Sequence, residues 1–150
     1  MRSFIFSISF VFFLFGCADP YKEESRGLNT LLHDFNTCIA SKNHLYILIP
    51  TFSCLECVQI ALIKLEDILV ENDKPNVTII YQKIDIDFNP FENKALVYYD
   101  INNSIDKLPF SIANMTIIKT RKGMINEIRF VNVENINQVI NRNIINEIRK

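Results

Sequence analysis

Cys54 and Cys57 are the residues whose types and spacing most directly indicate chemistry in this chain. They form a C-x-x-C motif between an apolar run, residues 45–50 (LYILIP), and an amphipathic pattern typical of a helix, residues 58–71. Two thiols at this spacing can close into a disulfide and reopen, and a helix N-terminus stabilises the thiolate, which is the reactive form. A strand, a C-x-x-C motif and a helix in this order therefore predict a redox pair.

Apolar periodicity predicts the elements that must position this pair. Helices are predicted at residues 27–40, 58–71, 89–99 and 133–148, and strands at 45–49, 77–86, 115–118 and 124–130. Residues 119–123 join the last two strands as a hairpin. Asn89 and Pro90 have the types expected at a helix start. The β-α-β unit predicts parallel pairing and the hairpin predicts antiparallel pairing, so the expected sheet is mixed.

With the C-x-x-C motif after the first strand, residues 43–150 resemble the thioredoxin fold. They are similar in particular to the membrane-tethered, thioredoxin-like proteins of bacterial envelopes. Two segments carry the resemblance, residues 49–57 (IPTFSCLEC) and residues 83–90 (KIDIDFNP). The resemblance implies an α/β three-layer sandwich with helices flanking a mixed central sheet.

The resemblance also implies roles for the two thiols. Cys54, the more exposed of the pair, is expected to be the attacking nucleophile, and Cys57 is expected to resolve the mixed disulfide. Ser53 and Glu56 fit a capping box, with Ser at the cap and Glu at the third helical position. Glu56 therefore has two interpretations. It caps the helix, which is the favoured one, or its charge raises the pKa of the Cys54 thiol.

Three departures from the thioredoxin pattern bear on activity. The residue before the first Cys, usually Trp, is Ser53, and the chain has no Trp. The apolar run at residues 45–49 lacks the interior acidic residue that thioredoxins carry there. The position of the thioredoxin cis-proline corresponds to Met115, whereas the nearest proline is Pro109. Replacement by Met115 is favoured, and a cis-proline supplied by Pro109 is the alternative.

The first residues predict export and a lipid anchor. Met1 and Arg2 begin a basic region, and residues 3–15 are apolar but shorter than the roughly 20 residues that span a bilayer. Residues 14–17 (LFGC) resemble the lipobox of bacterial lipoproteins, which makes Cys17 the expected site of lipid attachment. An ordinary signal peptide with an incidental Cys is the alternative. The predicted division is a signal at 1–16, a tether at 17–26 and one domain at 27–150.

Charge and the remaining Cys and His residues exclude several classes of site. The formal net charge is −1, from 16 basic and 17 acidic residues, and no basic stripe indicates nucleic acid as a partner. His33 and His44 lack neighbours at metal-ligand spacing, so neither a metal nor a cofactor is predicted. Cys38 is expected to be a buried, inert thiol, with a third redox partner as the alternative.

Two functions from different classes follow. In the first, the protein is a lipid-anchored thiol–disulfide oxidoreductase of the bacterial envelope, facing the periplasm or the exterior. It acts on thiols or disulfides of exported proteins, and a membrane electron donor regenerates its dithiol. In the second, it is a binding or scaffold module in which the link between Cys54 and Cys57 is structural. The first is favoured by the helix-start position of the pair.

Overall fold

The computed structural model describes residues 20–69 and 76–140. Its helices are α1 (Lys22–His33), α2 (Leu55–Ile68) and α3 (Ile136–Val139), and its strands are β1 (His44–Ile49), β2 (Val77–Tyr81), β3 (Leu96–Tyr99), β4 (Thr116–Arg121) and β5 (Met124–Phe130). Single 3₁₀ turns form at Asn89–Phe91 and Ser104–Lys107. The predicted signal segment, Cys17 and the end of the predicted last helix lie outside the described residues.

The five strands form one mixed sheet in the order β3-β2-β1-β4-β5. Strand β1 pairs in parallel with β2 and antiparallel with β4, and β3 extends the parallel side while β5 extends the antiparallel side. The central place of β1 follows from its sequence, because an apolar run without alternation suits a strand that is covered on both faces. The expected α/β fold with a mixed sheet flanked by helices is confirmed.

Helices cover both faces of this sheet, and alternate residues of β1 face the two resulting cores. One core, on the α2 side, takes Leu45, Ile47 and Ile49, together with residues of α2 and α3. The other core, on the α1 side, takes Tyr46 and Leu48, together with residues of α1. The sheet therefore separates the side chains packed against α1 from those packed against α2.

Helix α1 occurs at the predicted apolar stripe but begins and ends earlier than predicted. Its end has a local cause. Asn36 adopts a left-handed conformation (φ 54°), a backbone that Asn tolerates better than most residues. The N–H groups of Asn36 and Thr37 donate to the carbonyls of His33 and Leu32, the two bonds of a Schellman motif.

The predicted helix at residues 89–99 is wrong. Pro90 starts a single 3₁₀ turn, and the chain then becomes β3, which pairs in parallel with β2. The sequence Leu96–Tyr99 (LVYY) is rich in residues that favour strands, and the open edge of β2 supplies the backbone partners. The predicted strand at residues 77–86 accordingly ends at Tyr81.

The hairpin of β4 and β5 is confirmed, and β5 has the predicted bounds. Its turn residues Lys122 and Gly123 have φ values of 54° and 78°. Positive φ at both central positions is the requirement of a type I′ turn, the connection that best matches strand twist. Strand β4 runs from Thr116 to Arg121, three residues further than predicted.

Helix α1 packs closely on the loop that follows the second 3₁₀ turn. A Cβ atom added at Gly27 would lie 2.3 Å from Cδ of Pro109 and 3.3 Å from Cδ2 of Leu108. Glycine therefore allows this loop to approach the helix backbone, and the contact places residues 108–109 on the α1 side of the sheet.

Candidate functional site

The C-x-x-C motif lies where the central strand ends and α2 begins. Pro50 follows the last residue of β1, and the N–H of Ser53 donates to the Pro50 carbonyl (3.1 Å), closing a tight turn. Cys54 is the N-cap of α2, and Cys57 lies at the third helical position. The predicted succession of strand, motif and helix is confirmed.

The two sulfurs are within disulfide distance, and their Cα atoms are 5.2 Å apart, a separation that suits a disulfide. The two sites differ in access. Cys54 is exposed, whereas Cys57 is only 5% exposed. A thiol or disulfide from another protein can therefore reach the sulfur of Cys54 before that of Cys57.

The predicted capping box is wrong. The sulfur of Cys54, and not the hydroxyl of Ser53, accepts the N–H of Cys57 at 3.3 Å. Glu56 then falls at the second helical position instead of the third, with an exposed side chain. The N–H of Cys57 thus points at the sulfur of Cys54 from the helix N-terminus, an end that favours negative charge and would stabilise a Cys54 thiolate.

Ser53 is displaced into the interior by this one-residue shift. It is 9% exposed, and among buried side-chain nitrogen and oxygen atoms of the described residues its Oγ is the one without a hydrogen-bond partner. The apolar side chains on either side of Ser53 and Cys54 are exposed by contrast. Phe52 is 87% exposed and Leu55 is 43% exposed, and these two side chains form an apolar rim next to Cys54 in the chain.

A buried glutamine ties the loop before the motif to the sheet. Gln82, which follows β2, has no exposed surface. Its Oε1 accepts the N–H of Thr51 at 2.9 Å and the Thr51 hydroxyl at 3.3 Å, and its Nε2 donates to Oδ2 of Asp100 at 3.3 Å. Its backbone N–H also donates to the Ile49 carbonyl at 2.9 Å. The loop is therefore held three residues before Cys54.

Asp100 anchors the other end of this hydrogen-bonded chain. It follows β3 and is 2% exposed. Its carboxylate accepts the backbone N–H groups of Ser104 (2.9 Å) and Ile105 (2.8 Å). The Ser104 hydroxyl takes no part in this chain and donates to Asp34 instead. Sequence reasoning missed both Gln82 and Asp100. The available signal was a single polar residue directly after each of two apolar, strand-like runs.

Met115 occupies the sheet position beside the end of β1. Leu48 pairs with Thr116, so one step further along these antiparallel strands Ile49 comes opposite Met115. Met115 is buried, and every peptide bond of residues 20–69 and 76–140 is trans. Pro109 packs on Gly27 of α1 instead.

Cys38 is not the buried thiol that its sequence position predicts. The helix that was expected to carry it ends at His33, and Cys38 is exposed in the following loop. It lies near Tyr46, whose hydroxyl accepts the N–H of Ala40 (2.9 Å). Burial raises the pKa of Tyr46, the hydrogen bond from Ala40 partly offsets this, and Cys38 adds a smaller increase. Because Tyr46 faces the α1 core, the sheet lies between Cys38 and the α2 side that holds Cys57.

One of the two histidines lies at the far end of β1 from the motif. His44, at the start of β1, is 2.8 Å from the hydroxyl of Thr78 through Nε2 and lies against the Tyr46 ring. Burial lowers the pKa of His44 to about 4, so this imidazole is neutral at pH 7. In the described part of the chain, no group of three or more His, Cys, Asp or Glu side chains is arranged to hold a metal ion.

No helix formed by residues 20–69 and 76–140 has the length and apolar character required to cross a membrane. Comparisons of the chain with protein-family models, with curated proteins and with solved structures found no match.

Proposed function

We propose that the protein is a thiol–disulfide oxidoreductase of thioredoxin-like fold, held in a bacterial envelope by lipid on Cys17. One observation carries this proposal. An exposed sulfur and a buried sulfur lie within disulfide distance at the N-terminus of a 14-residue helix. A structural disulfide does not require one accessible sulfur, whereas exchange through a mixed disulfide does.

Cys54 and Cys57 each carry out one step of the exchange reaction. In reduction of a substrate, the Cys54 thiolate attacks one sulfur of the substrate disulfide, and the other substrate sulfur leaves as a thiolate. Cys57, deprotonated, then attacks the Cys54 sulfur of the mixed disulfide, which releases the second substrate thiol and closes the Cys54–Cys57 bond. Two electrons have then passed to the substrate, and a membrane electron donor is expected to return them. Oxidation of a substrate dithiol follows the same steps in reverse.

The arrangement of the strands supports the thioredoxin-like assignment. Strand β1, which leads to the motif, is flanked by a parallel partner on one side and by an antiparallel hairpin on the other. Met115 begins the antiparallel side, next to the end of β1, where the resemblance requires the replaced proline. The apolar rim of Phe52 and Leu55 suits contact with an unfolded or exposed polypeptide segment.

One observation favours the second candidate, a binding or scaffold module with a structural disulfide. Strand β1 carries no acidic side chain, and the buried carboxylate of Asp100 already accepts three hydrogen bonds. Proton transfer at Cys57 therefore lacks the interior carboxylate that the resemblance implies on the strand before the motif.

The equilibrium reduction potential of the Cys54–Cys57 pair separates the two functions. It is measured on the full chain in detergent, by alkylation and mass spectrometry in glutathione and dithiothreitol buffers. We expect a value of about −120 to −270 mV, the range of exchange catalysts. The variant Cys57→Ser should accumulate mixed disulfides with exported proteins, and Cys54→Ser should not. A potential below about −300 mV, with no trapped species, would favour the structural disulfide.

A further inference from the structure

The hydroxyl of Ser53 is an exception among the buried polar groups of the described residues. Other buried polar side chains of these residues are bonded, as Gln82 is to Thr51 and Asp100, and as Ser104 is to Asp34. The Oγ atom of Ser53 is shielded from solvent and has no partner. A buried hydroxyl without a partner is costly, and such groups in native proteins call for an explanation, of which a redox role is one.

Its place in the chain indicates the missing partner. Ser53 directly precedes Cys54, and the sulfur of Cys54 holds the N-cap position that a serine hydroxyl commonly fills. In the disulfide form both sulfurs are neutral, and sulfur in that state is a weak acceptor. On reduction, two electrons break the S–S bond, one sulfur takes up a proton and the other remains a thiolate. The sulfurs also move apart, because a van der Waals contact between them is longer than a bond.

We propose that Ser53 is a redox-tuning residue whose hydroxyl donates a hydrogen bond to the thiolate that forms when the Cys54–Cys57 disulfide is reduced. This inference rests on the proposed function. The hydroxyl is unsatisfied in the oxidised protein and satisfied in the reduced protein, so it shifts the equilibrium toward the dithiol. Ser53 thereby makes the disulfide a stronger oxidant than it would be with alanine at position 53.

The chain offers a matched control at Ser104. Both serines are buried to the same degree, at 9% and 8% exposed, but the Ser104 hydroxyl already donates to Asp34 at 2.5 Å. Ser53→Ala and Ser104→Ala are therefore the same chemical change at equal burial, one removing an unpaired hydroxyl and the other removing a paired one. The two variants are expected to differ in the sign of their effect on stability and in whether they alter the redox equilibrium.

The experiment measures the equilibrium of the full chain with reduced and oxidised glutathione, with dithiothreitol for the more stable disulfides. We expect Ser53→Ala to shift the equilibrium constant about tenfold toward the disulfide, which corresponds to about 30 mV for a two-electron couple. Ser104→Ala should leave the constant within twofold of the wild type. Oxidised Ser53→Ala should also unfold at a higher urea concentration than the wild type, and Ser104→Ala at a lower one.

A second measurement assigns the effect to the thiolate. In the background of Cys57→Ser, and separately of Cys54→Ser, the pH dependence of alkylation reports the pKa of the remaining thiol. Removing Ser53 should raise that pKa for at least one of the two sulfurs. If the pair exchanges with glutathione but Ser53→Ala moves neither the equilibrium nor either pKa, the inference is overturned while the proposed function stands. If the disulfide resists dithiothreitol in every variant, both fail.

Discussion

Replacing Gln82 by methionine tests how far the buried polar chain controls the redox pair. Methionine has nearly the shape of glutamine but neither accepts nor donates strongly, so the change removes three hydrogen bonds, two with Thr51 and one with Asp100. At a net value of about 1 kcal/mol each, we expect unfolding to require about 2–3 kcal/mol less free energy. Thr51 is exposed and can bind water instead, and Asp100 keeps its two backbone donors.

The more specific expectation concerns the thiols. With Thr51 released, the loop that carries Cys54 gains freedom, and the effective concentration of Cys54 at Cys57 falls. We expect the equilibrium with glutathione to shift at least threefold toward the dithiol, or about 15 mV. Alkylation followed by mass spectrometry measures this shift, and urea unfolding measures the loss of stability.

Thr78→Val supplies the control for this variant. Thr78 lies at the opposite end of β2, is 2% exposed and loses one hydrogen bond with His44, at a cost of about 1 kcal/mol. Its effect on the redox equilibrium should stay below twofold. If Gln82→Met loses the expected stability and also leaves the equilibrium within twofold, the buried chain supports the fold without positioning Cys54, and the reasoning is wrong.

Three further predictions concern other parts of the molecule. Gly27→Ala should destabilise the fold by about 1–3 kcal/mol in urea, because its Cβ meets Pro109, and the second change Pro109→Ala should restore most of that loss. The contribution of neutral His44 to the stability of the wild type should be fully present above about pH 6.5. Stability should fall by about 1–3 kcal/mol toward pH 4, because His44 takes up a proton in the unfolded chain at a higher pH than in the folded chain. The variant His44→Gln should flatten this pH dependence, and an unchanged slope would contradict the assignment to His44. Cys38→Ser should leave the reduction potential unchanged, and a disulfide between Cys38 and Cys57 within one monomer, found by peptide mapping, would disprove their separation by the sheet.

The elements nearest to the motif were predictable because each is specified locally. Strand β1 is a continuous apolar run, α2 has a regular apolar stripe, and the β4–β5 hairpin has Gly123 in its turn. The assignment of residues 89–99 failed because its start signal was also local. Pro90 favours the first position of a helix, but a single 3₁₀ turn satisfies that preference, and only the exposed edge of β2 makes a strand of the residues that follow.

The wrong assignment of residues 89–99 also explains why the hydrogen-bonded chain of Thr51, Gln82 and Asp100 was not predicted. Gln82 and Asp100 are 18 residues apart, and they meet because each follows the end of one of two parallel neighbours. Parallel strands bring their carboxyl ends to one edge of the sheet, so the residues that leave β1, β2 and β3 converge there. Without β3 in the predicted sheet, Asp100 had no reason to be near Thr51 or Gln82.

The N-cap of α2 is Cys54, one residue later than the sequence predicts. This difference accounts for two features of the site that were not predicted, the cap by the Cys54 sulfur and the unpaired Ser53 hydroxyl. The S-x-x-E pattern predicts that Ser53 accepts a helix N–H and that Glu56 reaches back to it. In the structure the cap is one residue later, and the sulfur of Cys54 accepts the N–H of Cys57, so the helix end is coupled directly to the redox atom. The same shift leaves the Ser53 hydroxyl buried and unpaired. A thiolate on Cys54 is a stronger acceptor than a disulfide sulfur, so reduction should strengthen the cap as well as satisfy the hydroxyl. Both effects favour the dithiol, and they act through different donors, so Ser53→Ala should remove one and leave the other.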